Sequence, residues 1–237
     1  MRLSNVCEIA SRTASVTGTL QWVKKAGRSD ELAYQIFKRT MEIRRDIESS
    51  LLTNRIRNTG GDTTPRVLGG IGAWYTSNVS RGTGGTSGQF GTTAATDAAG
   101  GDLRDFTEDL FKDVHRSCWT NGGDPDLIMT GPKNKQTMSG FTGNATRMKT
   151  AEDKKLVATI DVYQGDWGDI RVVPNRFQRA REVHLIQTDM LAVAWGRPVQ
   201  VQDLAVTGDS RRRQVLGEYT LEVRNQAAIG IVADLTS

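Results

Sequence analysis

Residues 29–56 read SDELAYQIFKRTMEIRRDIESSLLTNRI and carry the longest helical pattern in the chain. Apolar residues and one threonine recur there at spacings of three and four, at Leu32, Ile36, Thr40, Ile43, Ile47 and Leu51. Such a stripe predicts an amphipathic helix that buries one narrow face. We expect Ser29 to cap the helix, followed by Asp30 and Glu31 at the positive end of its dipole. With about 25 residues the helix would be roughly 37 Å long, and we expect it to lie across a sheet rather than in a coiled coil.

The composition is that of an ordinary globular protein with a mild basic excess. The 237 residues include 31 Lys and Arg and 27 Asp and Glu, which gives a net charge of +4. A dedicated DNA-binding protein shows a larger, clustered excess, so this charge is only compatible with a position near nucleic acid. Cys7 and Cys118 form no CxxC or Cys/His pattern, so we expect two reduced cysteines and no zinc site. A signal-peptide core and an apolar run of about 18 residues are both lacking, so we expect no membrane contact.

The flanking segments predict a strand before the helix and a loop and second helix after it. Residues 5–23 are rich in Val, Thr and Ser without a helical stripe, which favours an extended strand. Residues 58–101 are rich in Gly, Thr, Ser and Ala; the segment RVLGGIGAWYTSN at 66–78 is either ordered or part of a flexible surface loop. Residues 101–119 predict a helix with a stripe at Leu103, Phe106, Leu110, Val114 and Cys118.

From residue 126 onward the pattern is mostly that of strands. Residues 155–175 predict a hairpin that turns at 165–168, and two or more further strand pairs follow towards the C-terminus. Helices early and strands late in the chain indicate an α+β class with antiparallel sheets.

The segment DLIMTGPKNK at 126–135 resembles a phosphate-binding loop only superficially. A loop of that kind needs successive glycine amides and a lysine followed by Ser or Thr, whereas here Gly131 is followed by Pro132, which has no N–H. A buried strand, a cap at Thr130 or Gly131 and a helix that begins at Pro132 explain the segment better. A nucleotide enzyme that uses this loop stays the alternative.

Other candidate chemistry is sparse. His115 and His184 occur in unrelated contexts, and no nucleophile elbow or HExxH motif is present. Asp161, Asp166 and Asp169 surround the predicted hairpin turn; turn aspartates usually cap their own backbone, with a divalent ion as the alternative. We therefore expect no catalytic, cofactor-binding or metal-binding residues.

The densest positive charge is the run Arg211, Arg212 and Arg213 after the turn TGDS. One interpretation is contact with phosphates or with an acidic patch on a neighbouring subunit. The other is a solvated strand end. Both interpretations stay open from the residues alone.

The order of these elements resembles the major capsid (head) proteins of tailed double-stranded DNA bacteriophages with the Hong Kong 97 fold, in particular the SU-ten-like major head proteins. The resemblance covers essentially the whole chain. It rests on five segments in the same order: RLSNVCEIASRTASVTGT (2–19), DELAYQIFKRTMEIRRDIESSLL (30–52), WTNGGDPDLIMTGPKNKQTMSGF (119–141), VYQGDWGDIRVVPNR (162–176) and LAVTGDSRRRQVLGEYTLEVRNQAAIGIVADL (204–235).

The resemblance implies a domain division. Residues 1–28 would be the return strand of an extended loop, with the N-terminal arm that family members carry absent from this sequence. Residues 29–119 and 197–237 would form a peripheral domain with the spine helix and the loop at 58–101. Residues 120–196 would form an axial domain with mostly antiparallel sheets.

The resemblance also implies a function as a shell subunit. Pentamers and hexamers of the chain would build an icosahedral head around packaged double-stranded DNA, assembled in the host cytoplasm, with scaffold, portal or decoration proteins as further partners. We expect subunit-interface or DNA-proximal positions at Arg44, Arg45, Glu48, Arg211, Arg212 and Arg213. The alternatives are the shell of a cellular nanocompartment with the same fold, a nucleotide- or metal-dependent enzyme, and a basic DNA-binding module.

Overall fold

The computed structural model describes residues 3–24, 27, 29–141 and 162–236. The chain divides into two compact units. The first comprises Met1–Leu51, Arg57–Gly69 and Val193–Leu221, and the second comprises Leu52–Ile56, Gly70–Ala192 and Glu222–Ser237.

Strands and helices both occur in number, as the α+β expectation requires. In chain order they are β1 (Glu8–Thr17), α1 (Gly18–Trp22), α2 (Glu31–Leu51), β2 (Val79–Ser80), α3 (Glu108–Thr120), β3 (Leu127–Thr130), α4 (Pro132–Ser139), β4 (Val162–Gly165), β5 (Gly168–Pro174), β6 (Val183–Ile186), β7 (Leu191–Asp203), β8 (Ser210–Val223) and β9 (Gly230–Val232).

The first unit is built on a three-stranded sheet in the order β1-β8-β7. Strand β1 pairs antiparallel with β8, from Glu8 opposite Tyr219 to Thr17 opposite Ser210. Alternate residues of β8 are buried from Val215 onward, as expected for a sheet with one covered face. Helix α2 packs along β1 and provides that cover.

Helix α2 buries the predicted stripe against the sheet. Ile43 and Ile47 pack in one cluster with three buried residues from outside the helix. Leu32 packs in a second cluster near the start of the helix. The members of the two clusters that come from outside the helix are Leu68, Val215, Tyr219, Ala14 and Val16. The expected position of the helix across a sheet is therefore confirmed.

The predicted start of α2 was wrong. The helix begins at Glu31, and the carboxylate of Asp30, not the hydroxyl of Ser29, accepts the backbone N–H of Ala33 at 3.1 Å. Its 21 residues span about 31 Å. A carboxylate near the positive end of the helix dipole is the better cap, and this hydrogen bond lowers the pKa of Asp30.

The second unit contains a six-stranded sheet in the order β2-β9-β6-β3-β5-β4. The pairs β3/β6, β6/β9 and β4/β5 are antiparallel, whereas β2/β9 and β3/β5 are parallel. The sheet is thus mostly antiparallel. Its core, with α3 and α4 against the strands, is formed by Phe106, Phe111, Val114, Cys118, Ile128, Met138, Tyr163, Ile170, Val172, Val183, Leu185, Val232 and Leu235.

Two local predictions in this unit are confirmed and one was wrong. The hairpin turns between Gly165 and Gly168, and Gly131 caps a helix whose first residue is Pro132. Helix α3, predicted from Gly101, begins only at Glu108, where the hydroxyl of Thr107 accepts the N–H of Leu110 at 3.4 Å. The predicted stripe was misleading because Leu103 and Phe106 pack from non-helical backbone before that cap.

The part of the Gly- and Thr-rich segment that belongs to the second unit is well packed. Trp74 and Tyr75 are 3% and 0% exposed, so the alternative of a flexible surface loop was wrong for this part. The side chain of Asn54 exchanges two hydrogen bonds with the backbone of Ala95, at 2.6 and 2.9 Å. These contacts fix the backbone of a segment that has almost no regular secondary structure.

The boundaries of the two compact units differ from those of the predicted domains. Residues 70–119, assigned from the sequence to a peripheral domain, group with 120–192 in the second unit. No helix in the described part of the chain is both long and apolar enough to cross a membrane.

Candidate subunit interface

The predicted site residues on α2 all lie on its exposed side. Arg44, Arg45 and Glu48 are exposed, whereas Ile43 and Ile47 on the same helix are buried against the sheet. Within the described ranges, Arg44 and Arg45 make no ion pair. Both guanidinium groups are exposed on a rigid helix and are available to a partner.

Arg44 borders a shallow groove in the first unit, which we call the spine groove. Its volume is about 420 Å³, and Trp195, 46% exposed, forms one wall. The ring centroid of Trp195 lies 5.9 Å from that of Tyr219, so the sheet fixes the indole in place. The groove is lined by Thr40, Arg44, Ile47, Trp195, Pro198 and Val199.

The arginine triplet opens β8 but does not act as one cluster. Arg213 pairs with Asp203, with 2.5 Å between Nε and Oδ1. Arg211 and Arg212 are exposed, and neither forms an ion pair with any other residue that the structure describes. Two of the three predicted cations are therefore free for a partner, and the third is paired across the β7–β8 hairpin.

Beside the triplet lie two exposed apolar side chains that the sequence analysis missed. Trp22 and Val206 are 84% and 72% exposed and line one shallow pocket together with Asp209 and Arg211. We call Trp22, Val206 and Asp209 the hairpin knob. Its signal was present in the sequence, because Val206 is an apolar residue in a turn that otherwise reads TGDS.

The structure does not bring the two sets of predicted residues together. Arg213 lies opposite Ala14 in the sheet, near the start of α2, where Leu32 packs. Arg44 is 12 residues further along the helix, a rise of about 18 Å. The first unit therefore carries two separate polar regions, one near the start of α2 and one further along that helix.

The chemical alternatives have no support in the geometry of the second unit. Lys133 is exposed on α4, and Asn134 is buried and donates to the carbonyl of Ala180 at 2.9 Å. Asp166 and Asp169 are exposed beside the hairpin turn, and Asp161 lies outside the described residues. In the described parts of the chain, no group of three or more His, Cys, Asp and Glu residues is arranged to hold a metal ion.

His115 on α3 is buried among aromatic rings. Its ring lies 5.8 Å from that of Phe111 and 5.3 Å from that of Trp167, measured between centroids. This burial lowers the pKa of His115. Burial likewise raises the pKa of the Cys118 thiol to about 12, which keeps it protonated and inert.

The second unit also holds a buried polar network, which we define as Tyr75, Asp97, Arg179, Glu182 and His184. The Tyr75 hydroxyl lies 2.6 Å from His184 Nδ1, and His184 Nε2 lies 3.6 Å from Glu182 Oε2. Arg179 bonds both Glu182 and Asp97. The network joins the Gly- and Thr-rich segment to β6, and its sequence signal was a histidine inside the apolar strand VHLI.

Electrostatics in this network follow from burial. Desolvation lowers the pKa of His184 to about 3, helped by Arg179 and Arg81. Desolvation also raises the pKa of Glu182 to about 7, although the same two arginines oppose the shift. Asp234, which is 1% exposed, accepts hydrogen bonds from two backbone N–H groups of the Gly- and Thr-rich segment, those of Gly82 and Ala98. Glu182 and His184 are closed off from solvent, whereas Arg179 and Asp97 are partly exposed, and the arrangement suits a structural clamp.

Known phage capsid proteins are similar to this chain in sequence and in fold. The major capsid protein of Escherichia phage Phieco32 is 22% identical over an alignment of 266 positions, which covers 97% of this chain and 75% of that protein. The capsid subunit of cyanophage A-1(L) has a similar fold, with a TM-score of 0.70, 14% identity and coverage of 97% of this chain and 78% of that one. The SrpI encapsulin of Synechococcus elongatus PCC 7942 gives a TM-score of 0.60 at 10% identity, over 97% of this chain and 74% of that one.

The predicted fold is confirmed by these structural similarities, which at such low identity speak for the fold alone. The family described as SU10 major capsid protein matches residues 1–236. This match covers both compact units and every element of the two sheets. The chain therefore belongs to the SU10 major capsid protein family, as a phage major capsid protein with the Hong Kong 97-type fold.

Proposed function

We propose that the chain assembles through pentamers and hexamers into an icosahedral head shell that encloses double-stranded DNA, and that assembly takes place in the host cytoplasm. The observation that carries this proposal is the family match along residues 1–236. A shell of many identical subunits needs moderate interfaces repeated many times rather than one deep pocket. The exposed, unpaired arginines and the two shallow pockets of the first unit supply surfaces of that kind.

The basic excess is concentrated in the first unit. That unit contains 15 of the 31 Lys and Arg residues and 10 of the 27 acidic residues, a net charge of +5; the second unit therefore carries 16 and 17, a net charge of −1. We assign Arg44, Arg45, Arg211 and Arg212 to contact with neighbouring subunits or with packaged DNA. Non-specific phosphate contact of this kind weakens with added salt.

The two compact units are proposed to take the two parts of a Hong Kong 97-type subunit. The first unit, with α2 and the long strands β7 and β8, would be the peripheral domain. The second unit, which includes most of residues 120–196, would be the axial domain that surrounds the five-fold and six-fold axes. Scaffold, portal and decoration proteins are proposed as further partners, and the chain itself would have no catalytic role.

The proposal is tested by the assembly state of the purified full-length chain. Sedimentation velocity over a hundredfold concentration range, combined with negative-stain electron microscopy, should show rings, tubes or shells. Raising the NaCl concentration to about 1 M should shift assembly to higher protein concentration, because exposed charge pairs are then screened. A chain that stays monomeric at every concentration, alone and with its scaffold partner, contradicts the proposal.

The similarity to an encapsulin fold supports one competing function, the shell of a cellular nanocompartment. The contents of particles purified from cells that produce the chain separate the two. Nuclease-protected double-stranded DNA supports the phage head, whereas an enclosed enzyme without DNA supports the nanocompartment. A nucleotide- or metal-dependent enzyme would instead show a rise in melting temperature on addition of ATP or Mg²⁺, which we do not expect.

A further inference from the structure

The hairpin knob and the spine groove lack a partner within the described part of the first unit, and their chemistry is complementary. The knob presents two apolar side chains, Trp22 and Val206, which are the most exposed large hydrophobic residues among those that the structure describes. The groove offers an apolar floor and wall at Trp195, Pro198 and Val199. An exposed tryptophan of this kind is unusual on a monomer and is typical of the centre of an interface.

The charges at the two sites also match. Asp209 is exposed beside Trp22 and Val206 in the knob, and no cation pairs with it in the ranges that the structure covers. Arg44 is exposed at the rim of the groove and has no carboxylate partner in those ranges either. An Arg–carboxylate pair at the rim of an apolar contact adds orientation and specificity.

One copy cannot fill its own groove. The knob lies at the end of the sheet where Thr17 pairs with Ser210. The groove lies over Gly217, whose missing side chain leaves room for Val199 and Trp195. Seven residues of β8 separate the two positions, a distance of about 23 Å along a continuous strand. The knob of one chain can therefore reach only the groove of another.

We propose that the hairpin knob of one copy docks into the spine groove of a second copy of the chain. Trp22 and Val206 would pack on Trp195 and its neighbours, and Asp209 would pair with Arg44. Because the two surfaces differ, the contact is head-to-tail and propagates from copy to copy, into a closed ring or an open filament according to the rotation between copies. This inference rests on the proposed function, since it names one interface of the proposed shell.

The test reverses the proposed ion pair in the full-length chain. Arg44→Asp and Asp209→Arg should each raise the protein concentration needed for half-maximal assembly by about tenfold, as measured by sedimentation velocity. An equimolar mixture of the two variants should recover assembly, because a knob of each variant meets a groove of opposite charge on the other. Alternation of the two variants satisfies every contact in a six-membered ring and leaves one like-charged contact in a five-membered ring. The double variant Arg44→Asp/Asp209→Arg should also assemble like the wild type, because its knob and its groove again carry opposite charges.

Lys38→Asp is the matched control, since Lys38 is exposed on the same helix but does not line the groove. In an equimolar mixture with Asp209→Arg it should assemble no better than the wild type does in the same mixture. Urea unfolding of each variant shows whether the fold is retained, so that loss of assembly is not confused with loss of structure.

A cross-link provides the second measurement. Thr40→Cys in the groove, mixed with Val206→Cys in the knob, should give covalent dimers under mild oxidation, whereas Thr40→Cys mixed with Val201→Cys should not. The inference is overturned if wild-type chains assemble while the mixed variants show neither rescue nor cross-link; the proposed function would then still stand. Failure of the wild type to assemble under any condition counts against the proposed function itself.

Discussion

The hydroxyl of Tyr75 lies 2.6 Å from Nδ1 of His184, and both side chains are fully buried. The two residues are 109 positions apart, one in the Gly- and Thr-rich segment and the other in the centre of β6. Their rings are also stacked, with centroids 5.2 Å apart. This pair shows that the segment is part of the core of the second unit.

Tyr75→Phe should lower the free energy of unfolding by about 1–3 kcal/mol, because it keeps the ring but leaves His184 Nδ1 buried without a partner. Urea unfolding of the unassembled chain at pH 7.5 measures this change. A loss below about 0.5 kcal/mol would show that the hydrogen bond does not contribute to stability.

The buried pair of Glu182 and His184 should shape the dependence of stability on pH. His184 has a pKa of about 3 in the folded chain and 6.5 ordinarily, so its contribution to stability is lost as the pH falls from 6.5 towards 3. Glu182 has a pKa of about 7 in the folded chain and 4.5 ordinarily, so stability is gained as the pH falls from 7 to 4.5. Between pH 4.5 and 6.5 the two contributions oppose each other.

Glu182→Gln removes the compensating group. Relative to the wild type, the variant should lose stability by about 1.4 kcal/mol for each pH unit between 6.5 and 4.5, as measured by urea unfolding at a series of pH values. Glu222→Gln is the control, because Glu222 is exposed and paired with Arg224, and its pH profile should follow that of the wild type. Parallel profiles for Glu182→Gln and the wild type would refute the assignment.

Helix α2 should depend on its buried face and not on its exposed apolar residues. Ile43 is 0% exposed, and Ile43→Ala should cost about 2–5 kcal/mol of stability because it leaves a cavity between helix and sheet. Phe37 on the same helix is 63% exposed, so Phe37→Ala should change stability by less than about 0.5 kcal/mol. Equal losses for the two variants would mean that the helix does not pack on β1 as described.

Packing of the Gly- and Thr-rich segment should be visible in the stability changes caused by substituting its glycines. A Cβ at Gly70 would lie 2.2 Å from the carbonyl oxygen of Thr53, a backbone atom that has no room to move. Gly70→Ala should therefore lower the free energy of unfolding by about 1–3 kcal/mol. Gly100→Ala places its Cβ in open space and should change stability little or raise it slightly. If both substitutions are neutral in thermal unfolding, the segment is not packed as described.

Much of the fold was predictable because it depends on short-range patterns. The stripe of α2, the turn between Gly165 and Gly168, and the step from strand to helix at Pro132 all follow from the preferences of neighbouring residues. The two misplaced helix starts had a common cause. Leu103 and Phe106 were assigned to a helix by spacing and Ser29 was assigned as a cap by residue type, whereas the start of a helix is set by which side chain reaches a free backbone N–H.

The candidate interface was predictable only in part. Charge density in the sequence identified Arg211, Arg212 and Arg213, but not that Arg213 is neutralised by Asp203 ten residues earlier. The spine groove was invisible because its walls come from α2 and from β7, about 150 residues apart. A sequence pattern carries no information on which distant strand will face a helix.

The sequence by itself determined the local elements and, through their order, the capsid family, because periodicity and turn chemistry act over a few residues. Only the tertiary structure decided which charged groups are paired, which polar groups are buried and which apolar side chains are left exposed. The physical reason is that burial and pairing are properties of contacts between distant segments. The hydrogen bond between Tyr75 and His184 is a contact of that kind, and the pocket that Trp22 and Val206 line together is likewise formed by distant segments.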